Sequence, residues 1–339
     1  MTKSIVVPLD GSPLGASALP LAVSIARRSG AELQLIHVHD RPVQLLGAQA
    51  NDLQFDREME QLMGRELAET AEELRNDTHL PITASLIEGP VSETLLQHIA
   101  ASRPWLVVLN SHGRGGLRRM WHGSVADALA RHSGVPVLIE RRTGGAPLAE
   151  PRTKEPVFQN ILLPLDGSTL ADDIVDYAMQ LAEPGRTTFT LLRVIVPIPI
   201  LVAPAPAPPM PVDSVEIEHL RAEALIHFGR VAYTLKQHGF LAESEVVVDS
   251  QPADAILAFG AEHPTDLIAL STHGHGGFTR AILGSVADKV MRQAHVAVLL
   301  HTQSRTVPRK ALGWFPVPHN TRSRAVPPAR HPPTRPRDR

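Results

Sequence analysis

Two glycine-bearing segments hold the residues best suited to chemistry. The first reads Ser111-His112-Gly113-Arg114-Gly115-Gly116-Leu117 and continues to Gly123-Ser124-Val125-Ala126-Asp127. The second reads Thr272-His273-Gly274-His275-Gly276-Gly277-Phe278 and continues to Gly284-Ser285-Val286-Ala287-Asp288. Nine residues separate Gly113 from Gly123, and nine separate Gly274 from Gly284. Glycine lets a backbone approach a ligand with no Cβ in the way. The serine that follows opens a helix, and an aspartate three residues on has the spacing of a capping box. Backbone N–H groups and the positive end of the helix dipole at such a start suit a phosphate. One copy would read equally well as a turn and a cap. Two copies at identical spacing favour the ligand.

Other residues invite chemistry less strongly. Asp10 and Asp166 each stand in Leu-Asp-Gly-Ser, either as turn formers or as groups facing a cleft. His112 and His273 read first as loop anchors rather than acid–base catalysts. His37 and His39 share a strand face, but no third metal ligand is evident, and His275 beside His273 is no better supplied. Arg114, Arg118 and Arg119 make the first loop more basic than the second, which offers His275 and Arg280. They are solvated charges or phosphate contacts. A Ser124, His112 and Asp10 triad lacks a nucleophile elbow and uses a serine placed as a cap. No Walker A sequence is present, and no acidic pair is evident for Mg²⁺.

The elements that position these residues repeat too. Ile5-Val6-Val7-Pro8-Leu9-Asp10-Gly11-Ser12 matches Ile161-Leu162-Leu163-Pro164-Leu165-Asp166-Gly167-Ser168 at an offset of 156. The glycine segments match at 161, so the second half gains five residues, placed in the proline-rich stretch from Pro197 to Pro211. In the first half, apolar runs predict strands at Ile5–Leu9, Leu33–Val38, Ile82–Ile87, Leu106–Leu109 and Val135–Glu140. Helices are predicted over Leu14–Ser29, ending at Gly30, along Met59 to Leu74, over Val91–Ser102 and from Val125. Strands alternating with helices predict a doubly wound parallel sheet in each half. Ligands bind beyond the carboxyl ends of such strands.

Composition bounds the rest. The 339 residues suffice for two domains, and 43% apolar residues can fill their cores. No long apolar run predicts a membrane span, and the first residues lack the features of a signal peptide. No cysteine is present, so disulfides and thiolate metal sites are excluded. A cytoplasmic protein is expected. Residues 303–339 carry nine Lys/Arg, one acidic residue and eight prolines, about +8 against about −10 for the remainder. This segment reads as a disordered basic tail, either without a partner or docking on an anionic one. The expected division is 1–142, a linker at 143–156, 157–302 and the tail 303–339.

The pattern G-x-x-G, nine residues, G-[S/T], with Pro-Leu-Asp-Gly-Ser opening each half, resembles the universal stress protein family in tandem. The resemblance covers about residues 3–141 and 158–301. It implies five-stranded sheets of order 3-2-1-4-5, an adenine nucleotide alpha hydrolase-like fold, and ATP, with or without Mg, as ligand. Asp10 and Asp166 would then contact adenosine, and Val38 and Val194 would help hold adenine. Gly113, Gly123, Ser124 and Val125 would cradle phosphates, as would Gly274, Gly284, Ser285 and Val286. Asn110 and Ser271 replace the first glycine of the pattern, a position close to the ribose. The resemblance implies an ATP-binding stress-response regulator rather than an enzyme, with slow hydrolysis left open. An interaction module that binds no nucleotide is the second reading, and an ATP-hydrolysing or nucleotidyl-transferring enzyme the third. Pairing through the fifth strands, Val135–Glu140 and Val296–His301, would make an intrachain pseudo-dimer, with a homodimer as a further option.

Overall fold

The computed structural model describes residues 3–40, 50–110, 124–141, 158–197, 214–271 and 283–301. The linker at 143–156, the proline-rich residues 198–211 and the tail 303–339 lie outside the described residues. The first half runs β1 (Ser4–Leu9), α1 (Pro13–Ala16), α2 (Leu19–Ser29), β2 (Glu32–His39), α3 (Ala50–Thr78), β3 (Ile82–Glu88), α4 (Val91–Ser102), β4 (Leu106–Asn110), α5 (Ser124–His132) and β5 (Val137–Glu140). The second half runs β6 (Asn160–Pro164), α6 (Thr169–Leu181), β7 (Thr188–Ile195), α7 (Ser214–Gln237), β8 (Leu241–Val248), α8 (Pro252–Glu262), β9 (Leu267–Ser271), α9 (Ser285–Gln293) and β10 (Ala297–His301).

The strands form one ten-stranded sheet in the order β3-β2-β1-β4-β5-β10-β9-β6-β7-β8. Each half is thus a 3-2-1-4-5 sheet with parallel pairing throughout. The fifth strands meet within the one chain: β5 and β10 pair antiparallel, with Leu299 opposite Leu138.

Alternation along each strand divides the core into two layers. Ile5, Val7, Leu33 and Leu35 face α2 and α3, and Ile161, Leu163, Phe189 and Leu191 continue that layer into the second half. Val6, Ile36, Val107 and Leu109 face the other way, toward Leu95 and Ile99 of α4 and Leu129 of α5. Leu162, Leu192 and Ile268 continue this second layer beside Val290 and Met291 of α9. Both layers cross the seam between the halves. Val137, Leu138 and Ile139 meet Val298, Leu299 and Leu300 there, all buried. Each such side chain gains about 1.5–3 kcal/mol on full burial. Apolar packing therefore dominates the seam.

One predicted helix is broken. The expected Leu14–Ser29 helix is α1 followed by α2, interrupted at Ser17 and Ala18. Pro20 lies in the first turn of α2, lacks an N–H and would collide with the carbonyl of Ala16 in a continuous helix. The hydroxyl of Ser17 donates to Leu14 O at 2.6 Å, closing α1. The second half has Asp176 in place of Pro20, and α6 runs unbroken. As expected, α2 stops at Gly30, in the left-handed region at φ 65.

Candidate functional site

The carboxyl ends of β2, β1 and β4 are adjacent, and Asp10, Val38 and Asn110 stand at or near them. After β1 the chain turns on Asp10, whose Oδ1 accepts from the Ser12 N–H at 2.9 Å and the Ser12 hydroxyl at 2.6 Å. Ser12 Oγ in turn accepts the Gly15 N–H at 2.9 Å and caps α1. Gly15 is required there, since a Cβ would collide with the Asp10 carboxylate. Asp166 repeats the turn, accepting from Ser168 N–H at 2.9 Å and the Ser168 hydroxyl at 2.6 Å. Gly11 and Gly167 both take positive φ, 74 and 82, which the turn demands. Both aspartates are therefore turn formers, and each turn fixes its carboxylate at the edge of the sheet.

Asn110 ends β4, half-buried, with its Nδ2 bonded to the Ser17 hydroxyl. That bond ties the break between α1 and α2 to the neighbouring strand. Asn110 Oδ1 is buried without a hydrogen-bond partner among the described residues. Ser271 holds the same place at the end of β9 and pairs in register with His301. Val38 is buried on the layer shared with Leu95 and Ile99, and Val194 packs half-buried on the same layer. Ser124 and Val125 start α5, while Gly284 is the N-cap of α9, ahead of Ser285 and Val286. Gly113, Gly123 and Gly274 lie outside the described residues, as do His112, His273, His275, Arg114, Arg118, Arg119 and Arg280.

The expected capping box is not what the second aspartate makes. With Gly284 as N-cap, α9 has no side-chain cap, and Asp288 falls one position too late to complete a box. Its N–H instead makes the helical bond to Gly284 O at 2.9 Å. Its carboxylate belongs to a cluster that crosses the seam. Arg131 bonds Asp127 at 2.8 Å within α5 and Asp288 at 2.8 Å across the seam. Arg292 bonds Asp288 at 2.9 Å within α9 and Asp127 at 3.2 Å across it. The Arg292 hydrogen bond, opposed by burial and helped by the charges of Arg292 and Arg131, holds the Asp288 carboxyl below the ordinary range. Asp-x-x-x-Arg in both helices signalled the intrahelical pairs. Nothing local signalled the crossing.

The sequence does not show which residues lie beneath the two turns. A Cβ on Gly11 would lie 3.5 Å from His37 Cε1, and one on Gly167 would lie 3.8 Å from Arg193 Nη1. His37 is buried, and burial lowers its pKa, opposed in part by Asp10. The Arg193 side chain is half-buried and makes no hydrogen bond or ion pair among the described residues. His39, once paired with His37 as a metal candidate, instead meets Asp56 of α3 through Nε2 at 2.9 Å. No group of three or more metal-ligating side chains occurs among the described residues.

The difference between Trp105 and Asp266 at the start of the fourth strands has a structural basis. Asp266 Oδ2 accepts the N–H groups of Gln159 and Asn160 at 2.8 and 2.9 Å, tethering the start of β6. Trp105 instead lies under the ammonium of Lys3, 4.6 Å from the ring centre, and Lys3 reaches across the seam to Gln180 Oε1 at 3.1 Å.

The pattern of the universal stress protein family matches residues 1–141 and again 158–301. A universal stress protein of Mycolicibacterium smegmatis is 26% identical over 301 residues, 87% of this chain and 96% of its own. One from Mycobacterium tuberculosis is 25% identical over 229 residues, 67% of this chain and 71% of its own. The crystal structure of a universal stress protein from Archaeoglobus fulgidus superposes with a TM-score of 0.61 at 17% identity, covering 89% of this chain and 98% of that one. This last likeness concerns the fold alone.

Proposed function

The chain belongs to the universal stress protein family, matched in both halves, and from that premise we propose that it is a nucleotide-responsive regulator. Each half would hold one ATP across the carboxyl ends of its first, second and fourth strands. The observation that carries this reading is the start of α9. Gly284 caps it without a side-chain hydrogen bond, so no N-cap side chain competes for the first-turn N–H groups at the carboxyl edge. An anion there gains the helix dipole as well as those donors.

The other groups fit a nucleoside. The fixed Asp10 and Asp166 carboxylates suit ribose hydroxyls as acceptors. The buried Oδ1 of Asn110, without a partner among the described residues, is a further acceptor that a ribose hydroxyl would satisfy. ATP would supply its own negative charge and the hydroxyl donors, while the chain binds and orients it. No residue is assigned a catalytic role, and the output is occupancy rather than turnover.

Calorimetric titration of ATP into the full chain tests this reading. Wild type should take up two ATP per chain. Gly284→Val suits the purpose because Gly284 has φ −59 and ψ 150, a conformation open to valine. The variant should weaken one of the two sites by roughly ten- to a hundredfold, the cost of about 1.5–3 kcal/mol of anion contact. Circular dichroism should report an unchanged fold. Absence of ATP binding by wild type would overturn the proposal in favour of an interaction module of the same fold.

A further inference from the structure

The outward face of α7 breaks the rule its inward face obeys. Ala224, Phe228, Val231 and Leu235 are buried against the sheet, as an amphipathic helix requires. The opposite face should be polar. It instead exposes Val215 at 75%, Ile226 at 69% and Tyr233 at 65%. With exposed Ala222 these residues are spaced by seven, four and seven, a single line along the helix. The line is about 27 Å long at 1.5 Å per residue. Gly229 lies beside it, and a Cβ there would meet nothing within 4 Å. The corresponding line on α3 runs Phe55, Leu62, Glu66, Glu69, Glu73 and becomes acidic after its first turns. The apolar stripe is therefore a property of α7, not of the repeat.

We propose that this face of α7 docks on the same face of a second copy of the chain, the two helices antiparallel. The stripe is complementary to itself in that arrangement. A two-fold axis level with residue 224 sets Val215 against the partner's Tyr233 and Ala222 against the partner's Ile226. Each contact then joins a larger side chain to a smaller one, and Gly229 leaves room for close approach. Charge selects the same direction. The first half of α7 carries Glu216, Glu218 and Glu223 against Arg221, and the second half carries Arg230 and Lys236. Within the helix these charges pair loosely, Glu218 with Arg221 at 3.7 Å and Glu223 with His219 at 3.8 Å. Arg230 makes no ion pair among the described residues. Antiparallel docking brings Arg230 beside the partner's Glu216, and Lys236 toward the partner's Glu218. A parallel pair would set like charges level with one another. A single pair of helices of this length makes a small interface, in the class of transient rather than permanent assemblies, so the dimer is a reversible one.

Sedimentation equilibrium of the full chain, from about 1 to 200 μM, tests the proposal in the concentration range of a small interface. Wild type should pass from monomer to dimer within that range. Ile226→Asp should weaken the dimer at least tenfold with unchanged circular dichroism and melting temperature. Glu216→Lys with Glu218→Lys should weaken it, and so should Arg230→Glu with Lys236→Glu. All four changes in one chain should restore it, since the complementary ends are merely exchanged. A wild type that stays monomeric would overturn the proposal, as would a dimer indifferent to Ile226→Asp. Failure of the fourfold exchange to restore association would overturn the antiparallel arrangement.

Discussion

The two halves agree where the edge of the sheet is built and differ where that edge is lined. Both turn on Asp-Gly-Ser with the same hydrogen bonds, and both follow the order 3-2-1-4-5. Beneath the turn, however, the first half has buried His37 and the second half-buried Arg193. Beside the fourth strand, Asn110 pairs in register with Glu140, whereas Ser271 pairs with His301. The helix after the turn is broken in the first half and continuous in the second. A duplicated fold must keep the backbone geometry that closes its turns. The side chains that line the resulting edge are free to diverge, so the halves are two versions of one edge.

The largest predicted difference lies at His301. Its ring is buried against Tyr177, with ring centres 4.5 Å apart, and its Nδ1 has no hydrogen-bond partner among the described residues. Burial pulls its pKa down to about 4, opposed by Asp173. The unfolded chain, with an ordinary histidine near 6.5, then binds more protons between about pH 6.5 and 4. Stability contributed by neutral His301 is full above that window and is lost as pH falls through it, on the order of 3 kcal/mol in all. His301→Phe keeps a ring against Tyr177 and removes the titration. Urea unfolding at pH 7 and pH 4.5 should show a smaller acid loss in the variant, and hydrogen exchange should place the difference in the second half. Identical acid losses would show that His301 is protonated in the folded protein.

A smaller effect is expected where the halves are most alike. Asp127, Arg131, Asp288 and Arg292 are 24 to 35% exposed, so solvent screens their charges. Each cross-seam pair should contribute about 0.5–1 kcal/mol at low salt, well below the apolar seam. Arg131→Ala, Asp288→Asn and the double variant form a cycle whose coupling should fall in that range and shrink in concentrated salt. Because the Asp288 pKa is lowered, its stabilising contribution is present above about pH 4 and lost as pH falls further. Zero coupling would confine these charges to their own helices.

Much of the fold was legible in the sequence because its signals are local and repeated. Runs such as Ile5–Leu9 mark buried strands, and Gly30 marks a helix end. The pairing of fifth strands could be inferred because unpaired edges must be covered. Pro20 is a local signal too, and a proline there rules out one continuous helix over Leu14–Ser29. The lining of the site was less legible. His37 and Arg193 come under the turns only when strand register places them there. The bonds of Arg131 to Asp288 and of Lys3 to Gln180 span 157 and 177 residues, beyond any local pattern. The aspartate of Ser-x-x-Asp misled because Gly284, not Ser285, is the N-cap of α9.

The smallest expected change in stability comes from making the two turns alike. Arg193→His places beneath Gly167 the residue type that lies beneath Gly11. The guanidinium makes no hydrogen bond or ion pair among the described residues, so its removal breaks none there. It also relieves a half-buried cation of incomplete hydration, which offsets the loss of contacts along its methylene stem. Urea unfolding should therefore differ from wild type by less than about 0.5 kcal/mol. ATP titration of the same variant should respond more. A cation with no partner among the described residues, beside the carboxyl edge, favours an anionic ligand, so the second half should weaken by roughly three- to tenfold, about 0.7–1.4 kcal/mol, with the first half unchanged. A stability loss above about 1 kcal/mol would mean that the stem of Arg193 is a packing element of the second half. Unchanged affinity would remove Arg193 from the lining, leaving the two edges electrostatically equivalent at that point.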